Sequence, residues 1–442
     1  MGEYLPSVKL IDKKCIGCTD CIKRCPTEAI RVRNGKAQIT NEKCIDCGLC
    51  IKVCRNKAKQ ATTDSIDDIK RLPFKYKVAI PAPTLYSQFK NITNINIILT
   101  AVKELGFDEV YEVAYAADLV TRETIRYINN EKFDKPIISS ACPAIVRLIQ
   151  IKYPTLIQNI LPFISPMELM ARVAKEHLIK KGIKGKDIGV FFITPCAAKA
   201  TNVRSPQVVD YSYVDGVIAL RDIYAKMLTL IKQIKAAPER IEVLRQSTLK
   251  GINWARSGGE SEALGLDNII SVDGIENVKT ILDNVENGKL ENVDFIEGLA
   301  CTGGCLGGPL TVENCFVAKN RMRKILQCAD DNCLLRDINF EHGELNIRWE
   351  SPLQPQSVLK LDDDINVALA KLEEIEKIFL TLPKIDCGSC GAPTCNALAE
   401  DIVMGNAVIE DCIFMLRKKV REMAEEMVNL SEKLPATFQQ DE

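Results

Sequence analysis

Glu297-Gly298-Leu299-Ala300-Cys301-Thr302-Gly303-Gly304-Cys305-Leu306-Gly307-Gly308-Pro309 decides how the rest of the chain is read. Cys301 and Cys305 are spaced so that both thiols can face one centre. Gly303, Gly304, Gly307 and Gly308 carry no Cβ, which suits backbone that must pass close to something bulky. The stretch reads as a loop wrapped around an inorganic cluster. Two cysteine loops upstream, Cys142-Pro143 and Pro195-Cys196, strengthen that reading. Residues 135–140, 188–194 and 295–299 read as buried strands that deliver Cys142, Cys196 and Cys301 at their ends. Four thiolates from three strand ends, those of Cys142, Cys196, Cys301 and Cys305, suit one cubane. Lys199 sets a cation beside them, and Pro143 and Pro195 stiffen the backbone next to two of them.

Around these loops, residues 76–80 and 110–113 read as strands. Residues 94–106 read as an amphipathic helix with a glycine stop, and 118–129 as a second helix. Strands alternating with helices, with reactive residues at strand ends, indicate an α/β domain of mostly parallel sheets flanked by helices. Ligands in such domains sit beyond the carboxyl ends of strands.

The chain has 442 residues, enough for two or three domains. Its 58 basic and 59 acidic residues leave no surplus for nucleic acid. No run of 18 apolar residues predicts a membrane span, and the first residues lack the apolar core of a signal peptide. A cytoplasmic location is expected. Nineteen cysteines in such a chain point to metal or redox use rather than disulfides. With only His177 and His342 present, zinc–histidine and haem chemistry are disfavoured.

Cys15, Cys18, Cys21 and Cys25 follow C-x2-C-x2-C-x3-C, and Cys44, Cys47, Cys50 and Cys54 repeat the spacing. This is the bacterial two-cluster ferredoxin signature, in which the fourth cysteine of each run serves the other cluster. Cys15, Cys18, Cys21 and Cys54 are expected to hold one [4Fe–4S], and Cys44, Cys47, Cys50 and Cys25 the other. Zinc knuckles are the competing reading. Pro26 follows the first run, whereas Arg55 stands at the matching place in the second. Residues 61–75 read as a polar linker.

The segments Gly106-Phe107-Asp108-Glu109-Val110, Ala116-Ala117-Asp118-Leu119, Ser140-Ala141-Cys142-Pro143, Thr194-Pro195-Cys196-Ala197-Ala198-Lys199 and Ala300-Cys301-Thr302-Gly303-Gly304-Cys305 resemble the catalytic domain of [FeFe]-hydrogenases. The resemblance covers roughly residues 76–375, in the same order, and an attached two-cluster ferredoxin domain is usual there. It implies that the four cysteines hold the cubane of an H-cluster. Cys305 would bridge to a two-iron subsite bearing CO, cyanide and a dithiolate. Lys199 would pair with one cyanide, and main-chain groups near Ala141, Pro143 and Ala197 would serve the other. The implied reaction is 2 H⁺ + 2 e⁻ ⇌ H₂, with electrons from a ferredoxin or similar carrier and maturation proteins supplying the two-iron group.

The departures from that family are specific. Ala141 stands where a proton-relaying cysteine is common, and the usual glutamates are largely lost from Val120-Thr121-Arg122-Glu123-Thr124-Ile125-Arg126-Tyr127. Ser165 remains. Thr194 and Leu299 replace methionines, and Asn202 replaces an acidic residue. These changes resemble the divergent, sensory-type members, for which a signalling partner is implied. Hydrogen chemistry still needs a proton route, so Glu260, in Ser257-Gly258-Gly259-Glu260, and Glu297 are expected to form a substitute relay. The prelamin-recognition and iron–sulfur assembly relatives, which lack the two-iron site, are a third reading. Lys199 and the glycine loop around Cys305 argue against them.

Cys387, Cys390, Cys395 and Cys412 follow C-x2-C-x4-C-x16-C. This resembles the small [4Fe–4S] domain of corrinoid iron–sulfur proteins, with zinc as the alternative. Residues 396–407 read as a helix returning the chain to that cluster. Residues 413–433 read as a charged packing or partner helix. Cys315, Cys328 and Cys333 match no cluster spacing and read as buried or incidental thiols. Both histidines read as surface residues. The expected domains are an α+β ferredoxin domain at 1–65, the H-cluster domain at 70–375 and a small helical iron–sulfur domain at 376–442. No nucleic-acid or membrane partner is expected, and a homodimer is left open.

Overall fold

The computed structural model describes residues 4–130, 135–328, 346–356 and 361–433. Cys333 and His342 lie outside the described residues. The strands are β1 (Val8–Leu10), β2 (Ile30–Arg33), β3 (Lys36–Ile39), β4 (Lys59–Ala61), β5 (Tyr76–Pro81), β6 (Glu109–Val110), β7 (Ile137–Ile138), β8 (Ile188–Thr194), β9 (Gly216–Ala219), β10 (Ile269–Asp273) and β11 (Phe295–Leu299).

Contacts divide the chain into two compact units. The larger holds Met1–Lys9, Cys44–Lys52 and Lys59–Gln356, and the smaller holds Leu10–Lys43, Val53–Ala58 and Ser357–Glu442. This division cuts across the three sequence stretches.

In the larger unit, the strand order β6-β5-β8-β9 forms one sheet and β10-β11-β7 another. Every pair in both is parallel. All seven residues of β8 are buried, as expected of a central strand covered on both faces. Phe191 and Ile193 face one core with Leu99, Val102 and Ile223. Val190 and Phe192 face another with Met167, Met170 and Val173. Alternation of side chains along the strand separates the two sets. The carboxyl ends of β5, β7, β8 and β11 run into Ala82-Pro83, Ser139–Cys142, Pro195-Cys196 and Ala300-Cys301, respectively.

Two expectations need correction. Residues 111–113 do not continue β6: a helix begins at Val113 and runs to Asn130. The turn is held by the buried Glu112 carboxylate, which accepts from Tyr86, Ser247 and the Gln246 backbone, while the Gln246 side chain accepts from the Glu112 N–H. Residues 61–75 are not only a linker. Ile66–Arg71 is a helix with a full capping box between Ser65 and Asp68, and it buries Ile66 and Ile69.

In the smaller unit, β2 and β3 form an antiparallel hairpin. The Val32 N–H donates to the Gly391 carbonyl at 2.8 Å. Arg31 and Arg33 both reach Asp401, at 2.7 and 2.6 Å, from the helix Cys395–Val403. The helix Ile365–Thr381 packs beside that one. The tail helix, Ile413–Ser431, buries none of its residues.

Candidate active site

Three cysteine loops meet at the carboxyl ends of the parallel strands. Cys142 is the N-cap of the helix Pro143–Lys152, and Cys196 is the N-cap of Ala197–Arg204. Both helices aim their first-turn N–H groups and the positive ends of their dipoles toward the strand ends. The backbone N–H of Lys199 donates to the Cys196 sulfur. Thr194 accepts from the Cys196 N–H at 3.0 Å, so its hydroxyl shapes the loop.

The glycines of the Cys301–Cys305 loop do something narrower than expected. Gly304 has φ +74°, and a Cβ there would lie 2.6 Å from the Ser257 nitrogen. A Cβ on Gly308 would lie 2.3 Å from the Pro195 carbonyl oxygen, which also accepts from Leu310 N–H at 3.0 Å. What they approach is the backbone of neighbouring loops. Gly308 locks the loop to Pro195-Cys196, and Gly304 locks it to the turn that precedes Glu260.

A cavity opens beside Cys305. Its walls include Cys196, Lys199, Glu260, Glu297 and Ala141, with Thr84, Phe192, Trp254 and Leu299 among the rest. Glu260 and Glu297 are buried. Glu297 accepts from the backbone N–H groups of Gly258 (3.0 Å) and Ser261 (2.9 Å), and from the Ser261 hydroxyl. Glu260 accepts from Ser139 Oγ at 2.7 Å, and that oxygen accepts from Ala141 N–H. Burial raises the proton affinity of both carboxyls, and for Glu260 the negative charge of Glu297 adds to it. Beyond Glu297, Ser261 Oγ accepts from Ser271 Oγ at 2.7 Å, and Ser271 is exposed on β10. A hydroxyl path thus runs from the cavity wall to the surface.

Burial pushes the Cys196 thiol up to about 12 and the Cys305 thiol to about 11, and Cys301 is raised too. Lys199 opposes the effect at Cys196 and Cys305, and Lys52 opposes it at Cys301. Lys52 also donates to the Gly307 carbonyl at 2.6 Å. Cys47 and Leu49 pack in the same apolar cluster as Cys142 and Cys196. The second ferredoxin loop is thereby fixed against the cysteine loops of the larger unit.

The donor set fits an iron–sulfur group. Buried thiols gathered beside two helix N-termini and a lysine suit an anionic cluster whose irons take the thiolate charge. Thr84 Oγ1, fully buried in the cavity wall, has no hydrogen-bond partner among the described residues. It offers a donor to a polar ligand in the cavity, and sequence reasoning missed it. The signal available was a hydroxyl directly after Pro83 at the end of a buried strand. Among the described residues no three Cys, His, Asp or Glu side chains gather tightly enough for a single metal ion.

Other expected residues sit elsewhere. Ser165 and Pro143 line a neighbouring cavity, together with Asn202, Arg147 and Gln150, rather than the one beside Cys305. Ala197 is fully buried, and its carbonyl accepts from Ser7 Oγ at 2.9 Å. Cys142 and Cys301 face Cys196 without lining the cavity. In the smaller unit, Cys25 and Cys54 accept alike from the N–H groups of Ala29 and Ala58, each at 3.2 Å. The two halves of the ferredoxin motif therefore share one local turn. Cys390, Cys395 and Cys412 join one apolar cluster, and Cys390 feels the charge of Cys387 and Cys412. His177 is half-buried with its ring 5.7 Å from that of Tyr111, not a plain surface residue. Cys315 is half-buried beside the Gly303 and Gly307 backbone, and Cys328 is exposed.

A family model for the iron-only hydrogenase large subunit, C-terminal domain, matches residues 75–266 and 264–309. The chain belongs to the iron-only hydrogenase family. A 4Fe–4S dicluster domain model matches residues 7–55, and an Fe–S cluster model matches residues 382–414. Iron hydrogenase 1 of Clostridium pasteurianum is 24% identical over 304 residues, covering 57% of this chain and 52% of the relative. The periplasmic [Fe] hydrogenase large subunit of Nitratidesulfovibrio vulgaris is 26% identical over 372 residues, covering 69% and 86%. An NADP-reducing hydrogenase subunit of Solidesulfovibrio fructosivorans is 22% identical over 353 residues, covering 68% and 56%. The chain spans about half the length of the first and third of these relatives. A solved [FeFe]-hydrogenase, studied for oxygen inactivation of its 2Fe subcluster, aligns with TM-score 0.45 at 18% identity, over 64% of this chain and 95% of that one. A variant of the Chlamydomonas reinhardtii [FeFe]-hydrogenase aligns with TM-score 0.42 at 20% identity, covering 62% and 88%. Among the described residues no helix is long and apolar enough to cross a membrane.

Proposed function

We propose that this hydrogenase-family chain interconverts protons, electrons and H₂ at an H-cluster held by Cys142, Cys196, Cys301 and Cys305. The observation that carries the reading is the cavity beside Cys305, where Lys199, Glu260, Glu297 and the unpartnered Thr84 hydroxyl converge. When bound, the cluster supplies the metal site at which two protons and two electrons become H₂. Lys199 and Thr84 would hold anionic ligands of such a group, since a buried anion needs a cation or donors. Phe192, Trp254 and Leu299 keep water from the cavity.

Protons move through this chain's own groups. Ser271 meets water and hands a proton by way of Ser261 to Glu297, and Glu297 with Glu260 brings it to the cavity. Each carboxylate works as a general acid toward the cavity and is refilled from the serine side. Electrons come from a reduced ferredoxin-type carrier through the [4Fe–4S] sites of the ferredoxin motif, with the C-terminal site of Cys387, Cys390, Cys395 and Cys412 as a further relay. The cysteine usage fits a reducing, cytoplasmic setting.

A second reading, an H₂ sensor with the same site, is favoured by Ala141, which puts no ionisable group on the cavity wall where a relay cysteine is usual. Slow turnover combined with a response to H₂ separates it from the first.

The deciding experiment loads the iron–sulfur form with a synthetic two-iron complex and records the infrared spectrum. CO and cyanide bands that shift on binding, followed by H₂ evolution with a chemical reductant, support the proposal. A chain that leaves the complex free in solution loses both readings.

A further inference from the structure

The tail helix Ile413–Ser431 presents an apolar seam that nothing among the described residues covers. Ile413, Leu416, Val420, Met423, Met427 and Leu430 are spaced alternately three and four residues apart, and each is 44–70% exposed. That is an a/d heptad pattern sustained through the helix, the signature of a two-helix coiled coil. A helix of this length draws its stability from packing such a face rather than from propensity alone.

The charges choose the partner. Arg417, Lys418, Lys419 and Arg421 crowd the first half, and Glu422, Glu425 and Glu426 follow in the second. Two copies side by side in parallel would set like charges together. Inverted, the basic run of one lies along the acidic run of the other. The apolar layers then pair Ile413 with Leu430, Leu416 with Met427 and Val420 with Met423. In that arrangement the g positions place Lys419 of each copy opposite Glu426 of the other. On the opposite flank the e positions are Arg417, Ala424 and Ser431, so Arg417 of each copy lies opposite the small Ala424 of the other and meets no like charge. We propose that the chain dimerises through an antiparallel pairing of this helix with the same helix of a second copy. Lys419 now pairs with the exposed Glu410 of its own chain, a surface contact that is exchanged at little cost.

The inference is independent of the hydrogenase reading, and its test needs no activity. Sedimentation of the full, cluster-containing chain should give a dimer at micromolar concentration. Met423→Glu should give a monomer with unchanged iron content and visible spectrum. Lys419→Glu alone should weaken the dimer about tenfold, through two lost pairs and the repulsion that replaces them. Mixing it with Glu426→Lys, or combining both changes in one chain, should restore the affinity. A chain monomeric at every concentration, its seam kept for another protein's helix, overturns the proposal. So does a dimer indifferent to Met423→Glu, and charge changes without effect overturn the antiparallel arrangement.

Discussion

In the proposed relay, Glu260 and Glu297 are the residues on which proton supply would depend. Both are buried in the wall of one cavity, and both hold their protons more tightly than an exposed carboxyl does, because burial penalises the charged form. Glutamine keeps the size and one acceptor but cannot carry the proton. Glu260→Gln and Glu297→Gln are expected to lower H₂ evolution by at least about a hundredfold, while the infrared bands of the loaded centre remain. Ser271→Ala sits at the water end, where a solvent molecule can partly take over, so a loss of about threefold to tenfold is expected. Equal rates in all three variants would remove the relay and leave the cofactor assignment standing.

At the scale of elements, the cysteine loops are positioned by parallel strands and held to one another by backbone contact. The Gly308 position shows how little room there is. A methyl group there would meet the Pro195 carbonyl oxygen at 2.3 Å. Gly308→Ala must push the Cys305 loop away from the Cys196 loop. We expect a loss of roughly 1–3 kcal/mol of stability, together with iron missing from the four-cysteine centre, as read by metal analysis and cluster absorbance. Gly308 itself has an ordinary φ of −58°, so the cost there is crowding alone, whereas Gly265, at φ +66°, has nothing within 4 Å of its Cβ position. Gly265→Ala therefore serves as the control for backbone strain without crowding, and its iron content should match the parent.

On the scale of the molecule, chain order and compact units part company. The hairpin Ile30–Arg33 and Lys36–Ile39 belongs with the C-terminal cysteine segment, joined by the Val32–Gly391 hydrogen bond and by Arg31 and Arg33 on Asp401. The three side chains are 13–20% exposed, so the ion pairs are only lightly screened. Asp401→Ala removes the carboxylate that both guanidinium groups reach. It should cost about 2–4 kcal/mol within the smaller unit. Limited proteolysis should then cut the C-terminal segment faster, with the cavity beside Cys305 unaffected. Unchanged proteolysis would show that the backbone contact alone holds the unit.

Cysteine spacing and apolar runs are properties of short stretches, and they were enough to locate the strand ends of β8 and β11, the ferredoxin repeat and the four-cysteine loops. The capping box at Ser65 is equally local, but it lies within a polar stretch whose composition reads as linker. Proximity between distant residues is another matter. That Glu260 and Glu297 share a wall with Cys305, that Ser165 and Asn202 face a different cavity, and that Thr84 has no hydrogen-bond partner among the described residues all follow from how separate strands pack. No local pattern encodes those distances, because they are set by two sheets and the helices between them. The sequence by itself determined where the cysteines with cluster spacing fall, because spacing is local, whereas the tertiary structure alone decided which polar groups stand beside them, because packing sets those distances.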